Sequence, residues 1–164
     1  MEDKMILKPI KTNWRNNFSE LKISLEEREP LIISFQADFI DRKKKNNFNE
    51  DYDTIETIVK QIHLIFNIYA ELKFYMVDFF EFNYNKFVIQ SGDKSNVSFL
   101  NEKWIKEDIY LEPYFYEVLN SSVNFKSYDS SGKHNLKHYL IIGYDSYVEV
   151  VVPEKFKIEV LDIN

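Results

Sequence analysis

The stretch that decides the predicted fold class is Asp53-Thr54-Ile55-Glu56-Thr57-Ile58-Val59-Lys60-Gln61-Ile62-His63-Leu64-Ile65-Phe66-Asn67-Ile68-Tyr69. Apolar residues recur in it at the spacing of one helix face. Asp53 stands where a helix-capping residue would stand, and Glu56 follows three positions later, as in a capping box. The pattern predicts a long amphipathic helix from residue 54 to residue 69, whose apolar face would cover a sheet.

The C-terminal third has the turn signals and the alternation that are typical of antiparallel strands. In its last segment Phe156, Ile158 and Val160 alternate with charged residues, which predicts one covered and one wet face. We expect a β-meander from about residue 123 to residue 161. Its predicted strands are 123–127, 137–144, 147–152 and 156–161.

The middle of the chain is expected to combine strands with short helices. Aromatic and β-branched residues over 72–77 and 82–89 predict two strands joined by a turn at 83–85. Proline is tolerated only near the start of a helix, so Pro113 predicts two short helices, roughly 101–109 and 112–120.

These elements predict a single domain. A chain of 164 residues fits one domain and is long enough to bury a substantial core. The predicted fold class is therefore α+β, with one domain over residues 1–164. It has a mainly antiparallel sheet and a C-terminal β-meander, which is covered by one long amphipathic helix and two short helices.

Composition excludes several functional classes. The absence of cysteine removes disulfides, thiolate zinc ligands and thiol nucleophiles, and it fits a reducing compartment. Gly92, Gly132 and Gly143 are too far apart for a phosphate-binding loop, and we expect no cofactor. A net charge of -6 argues against direct nucleic-acid binding. An acidic N-terminus and the lack of a long apolar run predict a cytoplasmic protein without a membrane partner.

The histidines offer a weak metal hypothesis. His134 and His138 are four residues apart, a spacing compatible with one shared metal ion, but His63 is the only other histidine. Two ligands do not complete a site, so we expect no metal. His138 is also a candidate general acid or base, although the sequence identifies no partner for it.

Two alternative functions remain open. Asp51 and Asp53, followed by Glu71-Leu72-Lys73, resemble the carboxylate and lysine set of a metal-dependent nuclease or hydrolase. A ligand-binding domain with an aromatic cavity is the other alternative. Its candidate lining residues are Phe74, Tyr75, Phe79, Phe80 and Phe82.

The segment from residue 106 to residue 117 carries the preferred hypothesis, because tyrosines and carboxylates alternate there. Tyrosine supplies contact area with few rotatable bonds, and carboxylates steer a positively charged partner. The expected partner-binding residues are Glu107, Asp108, Tyr110, Glu112, Tyr114, Tyr116 and Glu117. With no catalytic residue identifiable, we expect a non-catalytic inhibitor or immunity-type protein that neutralises a basic partner, either a toxin effector or a nuclease.

Overall fold

A computed structural model describes residues 3–44, 55–90 and 96–163, and these residues are mostly β. The described residues form the strands β1 (Met5–Pro9), β2 (Arg15–Asn16), β3 (Lys22–Ser24), β4 (Leu31–Ile40), β5 (Thr57–Phe66), β6 (Glu71–Tyr75), β7 (Phe87–Ile89), β8 (Phe115–Val118), β9 (Leu136–Ile142), β10 (Tyr147–Pro153) and β11 (Lys157–Asp162). The helices are α1 (Phe79–Phe82) and α2 (Val97–Glu107), and a 3-10 turn spans Phe125–Ser127.

The strands form two sheets. One sheet has six strands in the order β6-β10-β9-β8-β1-β7, and only β1 and β7 are parallel in it. The other sheet has five strands, in the order β11-β5-β4-β2, with β3 also paired to β4. Its longest pairing joins β4 to β5, from Leu31 opposite Phe66 to Ile40 opposite Thr57.

The main core lies between the two sheets. Alternate residues of each strand point into it, because successive side chains of a strand face opposite ways. The central buried side chains are Leu31, Ile33, Phe35, Ile62, Leu64, Phe66, Phe115, Ile141, Val148, Val150 and Val152. Burial of each large side chain contributes roughly 1.5–3 kcal/mol to folding. This layer therefore joins the sheets into one structure.

Two smaller apolar clusters lie outside the main core. On the outer face of the six-stranded sheet, Phe79 of α1 packs against Leu140, Ile142 and Tyr147. The other cluster is formed by α2, whose Leu100 and Trp104 pack with Ile40 and Tyr110. Each helix thus covers only part of the β structure. Among the described residues, no helix is long and apolar enough to span a bilayer.

The predicted α+β class is wrong, because the described residues are mostly β, and the long helix predicted over residues 54–69 to cover the meander is absent from residues 55–69. Thr57–Phe66 is β5, and it pairs with β4 over its whole length. Five of its ten residues are β-branched, which favours a strand. Ile62, Leu64 and Phe66 are buried at alternate positions of it. The expected capping residue, Asp53, lies outside the described residues.

The short helices predicted around Pro113 also need correction. A helix does occur near residues 101–109, but α2 begins earlier, at Val97 after the Asn96 cap. Residues 112–120 are not helical, because Phe115–Val118 is β8 and pairs with both β1 and β9. Tyr114 has a φ of 56°, which no helix accommodates, and it separates α2 from this strand.

The strands predicted at 72–77 and 82–89 do not pair with each other. β6 pairs with β10, and β7 pairs in parallel with β1. The short helix α1 lies between them, where Asp78 accepts a hydrogen bond from the backbone N–H of Glu81. A local turn was expected, but long-range pairing separates the two segments.

The predicted C-terminal meander is wrong as a continuous unit. The strands expected at 137–144 and 147–152 correspond to the hairpin of β9 and β10. However, β11 crosses to the other sheet and pairs with β5, and Phe125–Ser127 is a 3-10 turn instead of a strand. β10 is buried on both faces, because the five-stranded sheet covers one face and α1 covers part of the other.

Candidate functional site

The tyrosines of the predicted partner-binding segment differ in their exposure. Tyr110 and Tyr116 are buried, and Tyr114 is half-buried. Burial, reinforced by the charge of Glu112, raises the pKa of Tyr114 above its ordinary value. The structure therefore assigns Tyr110 and Tyr116 to packing, and only Tyr114 presents part of its ring to the surface.

The carboxylates of that segment lie in separate places. Glu107 and Asp108 are exposed at the end of α2, where they pair with Lys103 at 2.8 Å and with Arg42 at 3.1 Å. Glu117 pairs with Lys137 at 3.2 Å, on the opposite face of β8 from Tyr116. The structure does not gather the seven predicted residues on one surface.

Other acidic and exposed apolar side chains lie in two segments that flank Tyr147, at one end of the six-stranded sheet. We call this region the acidic aromatic end. It consists of Met76, Asp78, Glu81, Phe82, Tyr84, Tyr144 and Asp145. Three of its side chains are strongly exposed, namely Met76 at 72%, Tyr84 at 74% and Tyr144 at 65%.

Packing around the buried Tyr147 ring brings these residues together. Tyr75 stacks on Tyr147 with ring centres 4.5 Å apart, and Met76 follows Tyr75 directly. Phe79 meets the same ring edge-on at 5.1 Å, and the Asn83 side chain lies near the Tyr147 hydroxyl. The strand end at Met76 and the C-terminal end of α1 are thus held beside the same buried ring.

A tight turn presents the other two members of the acidic aromatic end. The backbone N–H of Gly143 donates to the carbonyl oxygen of Ser146 at 2.8 Å, which places Tyr144 and Asp145 at the tip of the β9–β10 hairpin. A Cβ atom on Gly143 would lie 2.6 Å from Cγ of Leu21. The turn is therefore packed at its base and exposed at its tip, which pre-organises both tip side chains.

Two residues of the predicted segment adjoin this end. The carbonyl oxygen of Tyr114 accepts a hydrogen bond from the N–H of Ile142, next to the turn. The Tyr114 ring contacts Phe18 at 4.5 Å and Phe80 at 5.8 Å, and Glu112 is its charged neighbour. Glu112 and Tyr114 therefore extend the acidic aromatic end, because they lie at the same end of the strands.

A second candidate is a polar network on the outer face of the six-stranded sheet. Oγ of Ser121 lies 2.7 Å from Nδ1 of His138, and Nε2 of His138 lies 3.0 Å from Oε1 of Glu149. The Tyr75 hydroxyl also lies near Glu149 and helps to lower its pKa. Burial acts to raise the pKa of Glu149, but bonding to His138 and the charge of Lys73 outweigh it and lower the pKa below its ordinary value.

The proton positions follow from this chemistry. An ionised carboxylate only accepts hydrogen bonds, so Nε2 of His138 donates to Glu149, and in the tautomer with one ring proton Nδ1 is an acceptor. Oγ of Ser121 accepts from the N–H of Val123 at 3.2 Å and donates its own proton to Nδ1. A hydroxyl, a base and an orienting carboxylate are thus connected in series, which is the arrangement of an activated nucleophile.

The residues of the nuclease hypothesis lie partly beside this network. Glu71 pairs with Lys73 at 3.3 Å and accepts a hydrogen bond from the Tyr128 hydroxyl at 3.0 Å. Asp51 and Asp53 lie outside the described residues. Within residues 3–44, 55–90 and 96–163, no three histidine, aspartate or glutamate side chains are placed to hold a metal ion.

The histidines lie on different parts of the molecule. His63 is on β5, opposite Ser34 and Glu159 in the five-stranded sheet. His134 precedes β9, and its backbone N–H donates to Asp129. His138 has both ring nitrogens bonded to protein atoms, which leaves no free nitrogen for a metal ion shared with His134.

The aromatic residues proposed to line a ligand cavity pack mainly on one another. Phe79 is buried, with ring centres 5.4 Å from Phe80 and 5.1 Å from Phe87. Phe74 and Phe82 are exposed, and Tyr75 stacks on Tyr147. These rings form part of the apolar cluster on the outer face of the six-stranded sheet and part of the acidic aromatic end.

One of the two candidate sites had a readable signal in the sequence. A hairpin with Tyr144 and Asp145 at its tip puts Glu149 opposite Leu140, so His138 becomes its diagonal neighbour on the same face. The predicted hairpin contained both strands, but its turn near Asp145-Ser146 puts Glu149 opposite Ile142, so the predicted register did not bring this pair together, and Ser121 comes from a loop. The acidic aromatic end depends on the pairing of β6 with β10, which no local pattern indicates.

Comparisons of the chain with protein-family models, with curated proteins and with solved structures found no match.

Proposed function

We propose that this chain is a non-catalytic protein-binding module of the inhibitor or immunity type, which neutralises a basic partner such as a toxin effector or a nuclease. The observation that carries the proposal is the acidic aromatic end, where exposed Met76, Tyr84 and Tyr144 stand beside carboxylates. Aromatic side chains and methionine are enriched at protein interfaces, and exposed apolar groups there supply binding energy.

The charges of this end suit a basic partner. The net charge of -6, to which Asp78, Glu81 and Asp145 contribute, attracts cationic surfaces over long distances. Phe82 already accepts a cation, because Nζ of Lys86 lies 5.6 Å from the centre of its ring. Arginine and lysine side chains of a partner would meet similar rings. A cytoplasmic location is part of the proposal and is supported by the absence of cysteine.

A charge-reversal experiment tests this function. The full chain is immobilised, basic proteins are captured from the source cells, and association is measured across a salt series. The double variant Glu81→Lys with Asp145→Lys should slow association by roughly tenfold at low salt, because it removes steering charge from the contact surface. Both residues are exposed, so folding should be retained.

The matched control carries the same change in net charge elsewhere. Glu26→Lys with Glu27→Lys alters two exposed carboxylates in the loop between β3 and β4. This control should associate at nearly the original rate. Equal slowing by both variants would show that association depends on net charge alone, and that the acidic aromatic end is not a specific binding surface. Failure of the original chain to retain any basic protein would contradict the proposed function.

A hydrolase is the second candidate function, favoured by the 2.7 Å separation of Ser121 Oγ and His138 Nδ1. In this reaction the hydroxyl proton of Ser121 moves to His138 while Oγ bonds to the acyl carbon of an ester. His138 then returns the proton to the leaving alkoxide, and water cleaves the acyl-enzyme with His138 again as the base. Glu149 would orient the imidazole and stabilise its charge.

Labelling with a fluorophosphonate, a probe that reacts with activated serines, tests the hydrolase function. A working site should give a covalent adduct on Ser121 that disappears in Ser121→Ala and persists in Ser122→Ala. Ser122 is the adjacent, exposed serine and provides the matched control. An unlabelled Ser121 in the folded protein, located by mass spectrometry, would leave the network with a purely structural role.

A further inference from the structure

β11 is an open edge of the five-stranded sheet. Lys157–Asp162 pairs with β5 on one side, and in the described residues no strand lies on its other side. A free edge presents a row of unpaired N–H and C=O groups, which is a template for another strand. β11 is therefore a surface on which a second chain can extend the sheet.

The side chains of β11 are unusually apolar for an edge strand. Ile158, Val160 and Leu161 are all exposed, as is Ile163 directly after the strand. Ile158 and Val160 face the same side as the core residues Leu64 and Ile62, and they line a groove with Ile10 and Ile109 of the opposite layer. A strand added here would cover apolar surface as well as satisfy backbone groups.

We propose that β11 pairs in antiparallel fashion with β11 of a second copy of this chain, with Ile158 opposite the partner's Ile158. A two-fold symmetric pair of this kind places one residue opposite its own copy. With Ile158 at the centre, Lys157 lies opposite the partner's Glu159, and the reciprocal pair forms by symmetry. Opposite charges across a strand pair are stabilising.

The other symmetric registers are worse. Centring on Lys157 or on Glu159 puts two like charges directly opposite each other, which destabilises a strand pair. Centring on Val160 puts Ile158 opposite the partner's Asp162, so a charge faces an apolar side chain. Over residues 156–160 the Ile158 register pairs Lys157 with Glu159, Phe156 with Val160 and Ile158 with its own copy, and no other symmetric register on β11 matches these residues as well.

The ionic contacts of β11 permit this exchange of partners. Within one chain, Nζ of Lys157 lies 2.7 Å from Oε1 of Glu159, and the Lys157 side chain is largely exposed. Such surface pairs contribute little to folding. Exchanging these contacts, one in each chain, for two contacts across the dimer therefore costs little, while the new backbone bonds and apolar cover are gained.

Sedimentation of the full chain over a concentration series tests the proposal. We expect a monomer–dimer equilibrium, and Ile158→Lys should raise the dissociation constant at least about tenfold, because two lysines would then face each other. Phe74→Lys is the matched control. Phe74 lies on β6, an edge of the other sheet, and both side chains are 42% exposed. This control should dimerise like the original chain.

Charge exchange tests the register itself. Lys157→Glu alone places two pairs of glutamates opposite each other and should weaken the dimer, whereas Lys157→Glu combined with Glu159→Lys restores both cross-strand pairs and should recover it. A chain that remains monomeric at all concentrations would overturn the proposal. Dimerisation lost equally in the Phe74 control, or unaffected by Ile158→Lys, would assign self-association to another surface. A double exchange that fails to recover the dimer would overturn the register.

Discussion

At the scale of single residues, Glu149 shows how a half-buried carboxylate is kept ionised on a sheet. Its burial opposes ionisation, yet its bond to His138, the nearby charge of Lys73 and the neighbouring Tyr75 hydroxyl reverse that effect. The pKa of Glu149 is therefore lower in the folded protein than in the unfolded chain. Protonation of this residue must weaken the folded state.

The expected pH dependence follows from the direction of that shift. Stability contributed by a carboxylate with a lowered folded pKa is fully present above the unfolded pKa, about 4.3 for glutamate, and is lost as the pH falls through the folded value. Glu149→Gln should lower the free energy of unfolding at pH 7 by about 1–3 kcal/mol, since a charge-assisted bond is lost. The difference from the original chain should shrink below pH 4.

Urea unfolding at a series of pH values measures this effect. Glu29→Gln changes an exposed carboxylate in the loop before β4 and serves as the control. It should leave the free energy of unfolding nearly unchanged at every pH. A pH-independent difference between Glu149→Gln and the original chain would show that the ionised form of Glu149 has no preferential stabilisation.

At the scale of elements, β5 shows that a local sequence pattern does not always distinguish a helix from a strand. Ile62, Ile65 and Phe66 fit the spacing of a helix face, while Ile62, Leu64 and Phe66 fit the spacing of a strand face. Pairing with β4 decides between the two, because it satisfies the backbone of ten residues and buries the second set. Such a partner is distant in sequence, so the local pattern could not reveal it, and the helix predicted from that pattern was wrong.

Elements with local signals could be predicted better. A turn expected near Asp145-Ser146, between two runs of apolar residues, indicated the β9–β10 hairpin, and the structure has that turn one residue earlier, at Tyr144 and Asp145. The helix near residue 101 was expected, but its start at the Asn96 cap was missed. β8 was mistaken for a helix because Pro113 was taken as a helix start, whereas the chain reverses at Tyr114 with a φ of 56°.

The candidate sites likewise depend on long-range pairing that the local sequence does not indicate. The acidic and aromatic residues of the segment 106–117 were expected to form one binding surface. However, adjacent residues of a strand point to opposite faces, so Tyr116 and Glu117 lie on different sides of β8. Glu112 and Tyr114 lie beside the acidic aromatic end, whose other members come from α1 and the β9–β10 turn. Tertiary pairing, and not local composition, assembles this surface.

At the scale of the whole molecule, the six-stranded sheet is covered on both faces and the five-stranded sheet mainly on one. The inner layer between the sheets contains Trp14, while the cluster around α2 contains Trp104. These are the two tryptophans of the chain, so the layer between the sheets and the cluster around α2 each carry a fluorescent reporter. If the layers form one cooperative unit, both reporters must change together on unfolding.

Leu64→Ala tests that cooperativity. Leu64 is fully buried between the sheets, and its truncation should lower the free energy of unfolding by about 2–5 kcal/mol through lost burial and a cavity. The urea midpoint should fall equally when it is followed by Trp104 in a Trp14→Phe background, by Trp14 in a Trp104→Phe background and by far-UV circular dichroism. Leu25→Ala truncates an exposed leucine and should change stability by less than about 0.5 kcal/mol. A Trp104 transition that stays at its original midpoint while the Trp14 transition moves would show that the α2 cluster unfolds independently of the paired sheets, and the chain would then contain two folding units.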